Sequence, residues 1–330
     1  MTLGGGGSDL PSYYSKYGGF IFSFTLDKYM YIILKRAFAD DLIRIKYKKS
    51  ETVSRVSEIK HEIARVCLQK VGFSKGIEIA SMADIPSGSG LGSSSTYTVG
   101  LLSALHNLKR NFISVQDLAE EACEIEIDIL KKPMGKQDQY LAAFGGFLVM
   151  EIARDGHVKV SNARVSVTTL DELKRNLLIF YTGEQRQTKE ILGEQDKATK
   201  RSEKQVLESL HYIKESGHKI LEIVESGNIT ELGMMFDEHW KYKKKLAEGI
   251  TTPTFDRIYE MAKGNGAIGG KLSGAGGGGF FTFYCEDKQT QLRAAMKKTG
   301  LRELRYDFDF EGTKVLANFM NYCSIGYNNK

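Results

Sequence analysis

The feature that most constrains this chain is a run of glycine and serine, Pro86-Ser87-Gly88-Ser89-Gly90-Leu91-Gly92-Ser93-Ser94-Ser95, set between a strand pattern and a helix pattern. Residues 76–81 alternate apolar and polar as a half-buried strand does, and from Ser95 to Leu108 the residues Val99, Leu102 and Leu105 recur at helical spacing. Strand, glycine loop and helix start together make a site for an anion. The first N–H groups of a helix have no partner within it, and the helix dipole places partial positive charge there. Glycine at 88, 90 and 92 lets backbone approach an oxygen-rich ligand without a Cβ in the way. The serines add hydroxyls suited to phosphate oxygens or a hard cation. Two common phosphate loops are excluded. No lysine follows the glycines as G-x-x-x-x-G-K-[ST] requires, and a serine stands three places after Gly90 where a dinucleotide fingerprint requires glycine.

Size and charge narrow the function. A chain of 330 residues has room for two domains or one large one. The net charge of +5 is modest, and no dense basic block with interleaved aromatics is present, which argues against a nucleic-acid partner. A mild positive balance suits small anionic substrates. Cys67, Cys123, Cys285 and Cys323 are widely spaced without a CxxC pair, against both a zinc site and a disulfide framework. There is no run of 18 apolar residues and no basic-then-apolar leader, so a soluble cytoplasmic protein without a membrane partner is expected. A homodimer is left open.

Three further stretches carry polar or glycine-rich patterns. The chain opens with Gly4-Gly5-Gly6-Gly7-Ser8-Asp9, for which a flexible linker is the alternative reading. The following Asp9-Leu10-Pro11-Ser12-Tyr13-Tyr14 reads instead as a helix start with proline in the first turn. Gly135-Lys136-Gln137-Asp138-Gln139 precedes a short helix, so Asp138 is either a helix cap or a placed carboxylate. Gly269-Gly270-Lys271-Leu272-Ser273-Gly274-Ala275-Gly276-Gly277-Gly278-Gly279 holds more glycine than a plain hairpin needs. The helix pattern from Val115 to Lys131 carries a dense acidic surface that includes Glu126.

The string P-x-G-x-G-L-G-S-S resembles the central motif of the GHMP kinases, and 271–279 resembles their K-[LIVM]-[ST]-G-A-G-x-G-G motif. The GGG-S-D opening is similar to that of the heptose and fucose branch, although the P-x-R strand that precedes it there is missing. The resemblance covers nearly the whole chain and implies an α+β, two-lobed fold. The N-terminal lobe (1–170) would resemble ribosomal S5 domain 2 and bind ATP, and the C-terminal lobe (171–330) would be ferredoxin-like. The shortened start could leave an unpaired sheet edge.

The resemblance also implies roles. Pro86, Gly88, Ser89, Gly90, Leu91, Gly92, Ser93, Ser94 and Ser95 would wrap the triphosphate of ATP, and Ser94 with Glu126 would hold Mg²⁺. Asp138 would be the base that meets the acceptor hydroxyl, with Lys136 favouring its ionised form where the side chains meet. Gly6, Gly7, Ser8, Asp9, Gln139, Gly274, Ala275 and Gly276 would contact the sugar. Tyr181-Thr182-Gly183-Glu184-Gln185-Arg186 and Trp240-Lys241-Tyr242-Lys243 are similar to stretches of heptose-phosphate kinases, making Arg186 and Lys243 candidates for an acceptor phosphate. The implied reaction is phosphorylation of the anomeric hydroxyl of a heptose 7-phosphate. A kinase for a neutral sugar, or a sugar sensor without turnover, is the alternative.

Overall fold

The computed structural model describes residues 1–86, 88–184 and 188–319. The chain opens with β1 (Thr2–Gly4), α1 (Pro11–Tyr17) and β2 (Gly19–Phe24). There follow β3 (Met30–Arg36), β4 (Ile43–Lys46), β5 (Ser50–Val53), α2 (Glu62–Val71) and β6 (Ile77–Ala83). Next come α3 (Ser93–Lys109), α4 (Val115–Cys123), which continues as a π-helical turn over Glu124–Ile129, and α5 (Gln137–Phe144). A hairpin of β7 (Phe147–Ile152) and β8 (Val158–Asn162) completes two sheets. One is antiparallel with order β1-β2-β7-β8. The other is mixed with order β3-β6-β4-β5, in which β4 and β6 run parallel.

The second half begins with α6 (Val167–Asn176) and β9 (Leu177–Tyr181), then four helices: α7 (Thr188–Lys200), α8 (Lys204–Ser226), α9 (Leu232–Lys243) and α10 (Pro253–Gly264). It closes with β10 (Gly269–Leu272), β11 (Phe280–Tyr284), α11 (Gln289–Lys298) and β12 (Arg302–Leu304). The sheet order β10-β11-β9-β12, with every pairing antiparallel, is that of a ferredoxin-like split β-α-β unit.

Three apolar clusters hold this together, and strands buried on both faces join them. All six residues of β2 are buried. Ile21 faces the cluster of α2 to α5, while Phe20, Phe22 and Phe24 face the opposite way. Those phenylalanines meet Leu177 and Ile179 of β9 and Phe280 and Tyr284 of β11, so the two halves share one core. The alternate residues Leu178, Phe180, Phe281 and Phe283 fill the cluster beneath α8 to α11. Strand periodicity of two thus puts an apolar residue on each side of a central strand.

The structure departs from the sequence reading in several places. β1 stands at a sheet edge, but α8 packs against it closely enough that a Cβ on Gly4 would lie 2.5 Å from the Cα of Gly217. α8 therefore covers the face of this short strand, while β1 keeps its place at the sheet edge. β12 ends at Leu304. The chain then crosses to the first sheet, where Phe308 bridges Leu26 and the Gly146 N–H donates to the Asp309 carbonyl at 2.8 Å. The single helix expected over 115–131 turns π-helical after Cys123.

The shared core yields a test. Phe22→Ala should cost about 3–5 kcal/mol in urea unfolding, because Phe22 is fully buried between the halves. A loss under about 1 kcal/mol would show that this core can collapse around the gap.

Candidate active site

Two glycine loops meet backbone to backbone. Gly90 and Gly274 lie so close that a Cβ on Gly274 would stand 2.7 Å from the Gly90 carbonyl oxygen. A Cβ on Gly279 would stand 2.2 Å from the Ser89 carbonyl oxygen. Both positions also have positive φ, +68° and +93°, which favours glycine. The loop at 88–92 runs into α3, whose cap position is Gly92 in the left-handed region with no side chain capping the first turn. The hydroxyls of Ser89 and Ser95 are buried and have no partner among the described residues. Free first-turn N–H groups beside orphaned hydroxyls fit a phosphate-bearing ligand. Ser93 makes only a long 3.5 Å contact to the Pro86 carbonyl, and Gly88 is exposed.

Asp138 sits against this loop. It lies in the first turn of α5 rather than at its cap, which is Lys136. A Cβ on Gly92 would be 3.1 Å from its carboxyl carbon. Burial pushes the Asp138 carboxyl up to about 6. The Met1 ammonium opposes this, and the charges of Asp9 and Glu126 add to it. Lys136 does not meet it. Its ammonium donates to Glu120 at 3.0 Å and to the Gly156 carbonyl at 2.7 Å, so the expected pairing with Asp138 is not made.

Asp9 joins the opening glycine run to the same segment. Its carboxylate accepts from Gly7 N–H at 3.2 Å and from Gln137 N–H at 3.1 Å. Gly135 must be glycine here, since a Cβ would overlap the Asp9 carboxylate at 2.0 Å. Burial raises the Asp9 carboxyl, and the backbone N–H groups hold it back. Gly6 and Gly7 remain partly exposed beside it. Ser8 is different: it is fully buried, and its hydroxyl contacts the carbonyls of Gly5 at 2.7 Å and Phe20 at 2.8 Å. It fastens the turn to β2 rather than facing a ligand.

Beneath the anion loop lies a second cluster. Glu126 is completely buried, turned inward by the π-helical turn. Ser94 donates its hydroxyl to Glu126 Oε1, and Lys132 Nζ lies 2.7 Å from Ser94 Oγ and 2.8 Å from Glu126 Oε1. Gln139 Nε2 donates to the other carboxylate oxygen at 2.9 Å. Gln139 was expected at the sugar, but it is fully buried and its amide serves Glu126. Nothing in the sequence reading singled out Lys132.

On the C-terminal side, Lys243 Nζ donates at 2.6 Å to both the Leu272 and Gly274 carbonyls, which braces the second loop from below. Burial lowers its ammonium to about 8. Lys271 is buried deeper, donates to the Leu3 carbonyl and lies 4.6 Å from the ring centre of Phe236. Ala275 and Gly276 belong to the same braced loop. Arg186 lies outside the described residues. Among the described residues no helix is long and apolar enough to cross a membrane.

Comparison with known proteins identifies the family. Residues 57–146 match the GHMP kinases N terminal domain and residues 220–301 the GHMP kinases C terminal domain. The chain is 31% identical to D-glycero-alpha-D-manno-heptose 7-phosphate kinase of Campylobacter jejuni, over 95% of this chain and 94% of that one. It is 29% identical to L-fucokinase/L-fucose-1-P guanylyltransferase of Bacteroides fragilis, over 67% of this chain and 23% of the relative. A solved D-glycero-D-manno-heptose 1-phosphate kinase from Bacteriodes thetaiotaomicron superposes with a TM-score of 0.77 at 26% identity, covering 96% and 97% of the two chains. The chain belongs to the GHMP kinases, and so to the ATP-dependent phosphotransferases.

The contact between Gly92 and Asp138 is testable. Gly92→Ala would put a methyl against the carboxylate in a left-handed backbone, at a stability cost of about 1–2 kcal/mol. ATP turnover should fall at least about tenfold, well beyond that modest loss of stability. Unchanged turnover would mean that Asp138 is not held by this contact.

Proposed function

We propose that the chain transfers the γ-phosphoryl group of ATP to the anomeric hydroxyl of a D-glycero-D-manno-heptose 7-phosphate, giving the 1,7-bisphosphate in the cytoplasm for nucleotide-activated heptose. The observation that carries this reading is the end-to-end likeness to a relative with that name, joined to the placement of Asp138 at the anion loop.

In this reading the backbone of Gly88 to Ser95 cradles the triphosphate, and the uncapped start of α3 faces its charge. The acceptor oxygen attacks the γ-phosphorus, the bond to the β-phosphate oxygen breaks, and ADP leaves. The acceptor proton passes to Asp138. A carboxyl poised near 6 is ionised at neutral pH yet basic enough to take that proton. Ser94 and Glu126 would hold Mg²⁺, which would neutralise charge on the transferring phosphates. The pairing of a hydroxyl with a wholly buried carboxylate fits such a cation. Asp9 and the partly exposed Gly6 and Gly7 would contact sugar hydroxyls, and Gly274 to Gly276 would cover the acceptor. Lys243 and Arg186 would meet the 7-phosphate.

A neutral acceptor is the competing reading. It is favoured by the fucokinase relative and by the engagement of the Lys243 ammonium with two carbonyls. ATP consumption across heptose 7-phosphate, heptose, fucose and galactose separates the two. Heptose 7-phosphate should exceed the neutral sugars in kcat/KM by at least about 100-fold, and Lys243→Ala should raise KM by a larger factor for heptose 7-phosphate than for the neutral sugars, which share only the loop that Lys243 braces. Preference for a neutral sugar would overturn the phosphorylated acceptor. No turnover with any of them would point to a sensor.

The pH dependence follows from the raised carboxyl. The active form of Asp138 is the deprotonated one, so kcat should fall about tenfold per pH unit below about 6. Asp138→Asn should lower kcat by about 10²–10⁴ and remove that acid limb. An acid limb that persists in the variant would assign it to another group.

A further inference from the structure

The cluster under the anion loop contains a cation of its own. Lys132 Nζ stands 2.7 Å from Ser94 Oγ and 2.8 Å from Glu126 Oε1, bridging the two oxygens that the reading above gives to the divalent ion. A divalent ion held by both would occupy the same locus, because Mg²⁺ sits about 2.0–2.1 Å from its oxygens. One locus cannot hold an ammonium and a metal ion together.

The backbone is shaped to bring Lys132 there. The π-helical turn ends after Ile129, and Lys131 takes a left-handed conformation with φ +51°, unusual for a residue with a side chain. That reversal returns the chain so that Lys132 N–H donates to the Glu126 carbonyl at 2.9 Å while its ammonium reaches the Glu126 carboxylate. Both ends of Lys132 therefore close on one residue. The need is plain: Glu126 is completely buried, and a buried carboxylate without a counter-charge is strongly disfavoured. Lys132 supplies that charge. Its side chain is 26% exposed while Glu126 is at 0%, so the lysine has an exit that the glutamate lacks.

We propose that Lys132 is a resident counter-cation that competes with the divalent ion for the Ser94–Glu126 oxygen pair. The proposal rests on the assignment of those two residues as metal ligands. With no nucleotide present, an incoming ion must evict the ammonium from the buried carboxylate it neutralises. When the ion arrives with a triphosphate, the displaced ammonium gains phosphate oxygens. The site thus discriminates against free metal and favours the metal–nucleotide complex. Lys132 is a positioning residue in this account.

Mn²⁺ serves as the probe, followed by the loss of its free paramagnetic resonance signal on titration with the full-length protein without nucleotide. The wild type should bind weakly, K132M at least about tenfold more tightly, and E126Q not at all. Thermal melting gives a second readout: K132M should melt lower than the wild type without metal and recover on adding Mn²⁺. K132Q, which keeps a donor but not the charge, should move in the same direction and guards against misfolding of K132M. Unchanged or weaker Mn²⁺ binding in both lysine variants, with E126Q still abolishing it, would overturn the competition. Mn²⁺ binding that survives E126Q would overturn the ligand assignment, and this proposal with it.

Discussion

The site depends on backbone meeting backbone. The loop before α3 and the loop between β10 and β11 touch where Gly274 and Gly279 meet the carbonyls of Gly90 and Ser89, and at those two glycines no side chain would fit. That contact brings together the free start of a helix from one half and a braced turn from the other. It is held from behind by the core shared among β2, β9 and β11. Close packing of this kind transmits small displacements, because a packed interior does not deform freely. A phosphate site built from main chain needs such support, since its donors have no rotamers with which to adjust.

Three carboxylates surround this contact, and each is handled differently. Asp9 is satisfied by backbone N–H groups. Glu126 is satisfied by Ser94, Lys132 and Gln139. Among the described residues Asp138 has no hydrogen bond of this kind, and burial raises its carboxyl as it does that of Asp9. Of the three, Asp138 is the carboxylate without such bonds among the described residues, which suits it to the role of base proposed above.

Much of this was legible in the sequence. The two glycine loops stood out by their density of glycine, and the spacing of Val99, Leu102 and Leu105 marked a helix from Ser95, two residues inside the observed start of α3. What escaped reading depended on contacts remote in sequence or on backbone reversals. β1 is only three residues long and is defined by its pairing with β2. α6 and α7 are largely polar in composition, although Val167, Leu170 and Leu173 recur at helical spacing in α6. Lys136 was expected at Asp138 from proximity in sequence, but the first turn of α5 sends it toward Glu120. Lys132 meets Glu126 only because Lys131 turns left-handed, and propensity does not forecast that at a lysine. Ser8 and Gln139 carry polar groups that could face a ligand, yet burial turns them inward to serve the fold and Glu126.

The central claim is that the two loops form a single phosphate-binding hollow beside Asp138. Amide hydrogen exchange on the intact protein, with and without an unreactive ATP analogue and Mg²⁺, tests it most directly. The account predicts that 88–95 and 273–279 gain protection together at the same analogue concentration. Protection confined to 88–95, with 273–279 exchanging as in the free protein, would contradict it.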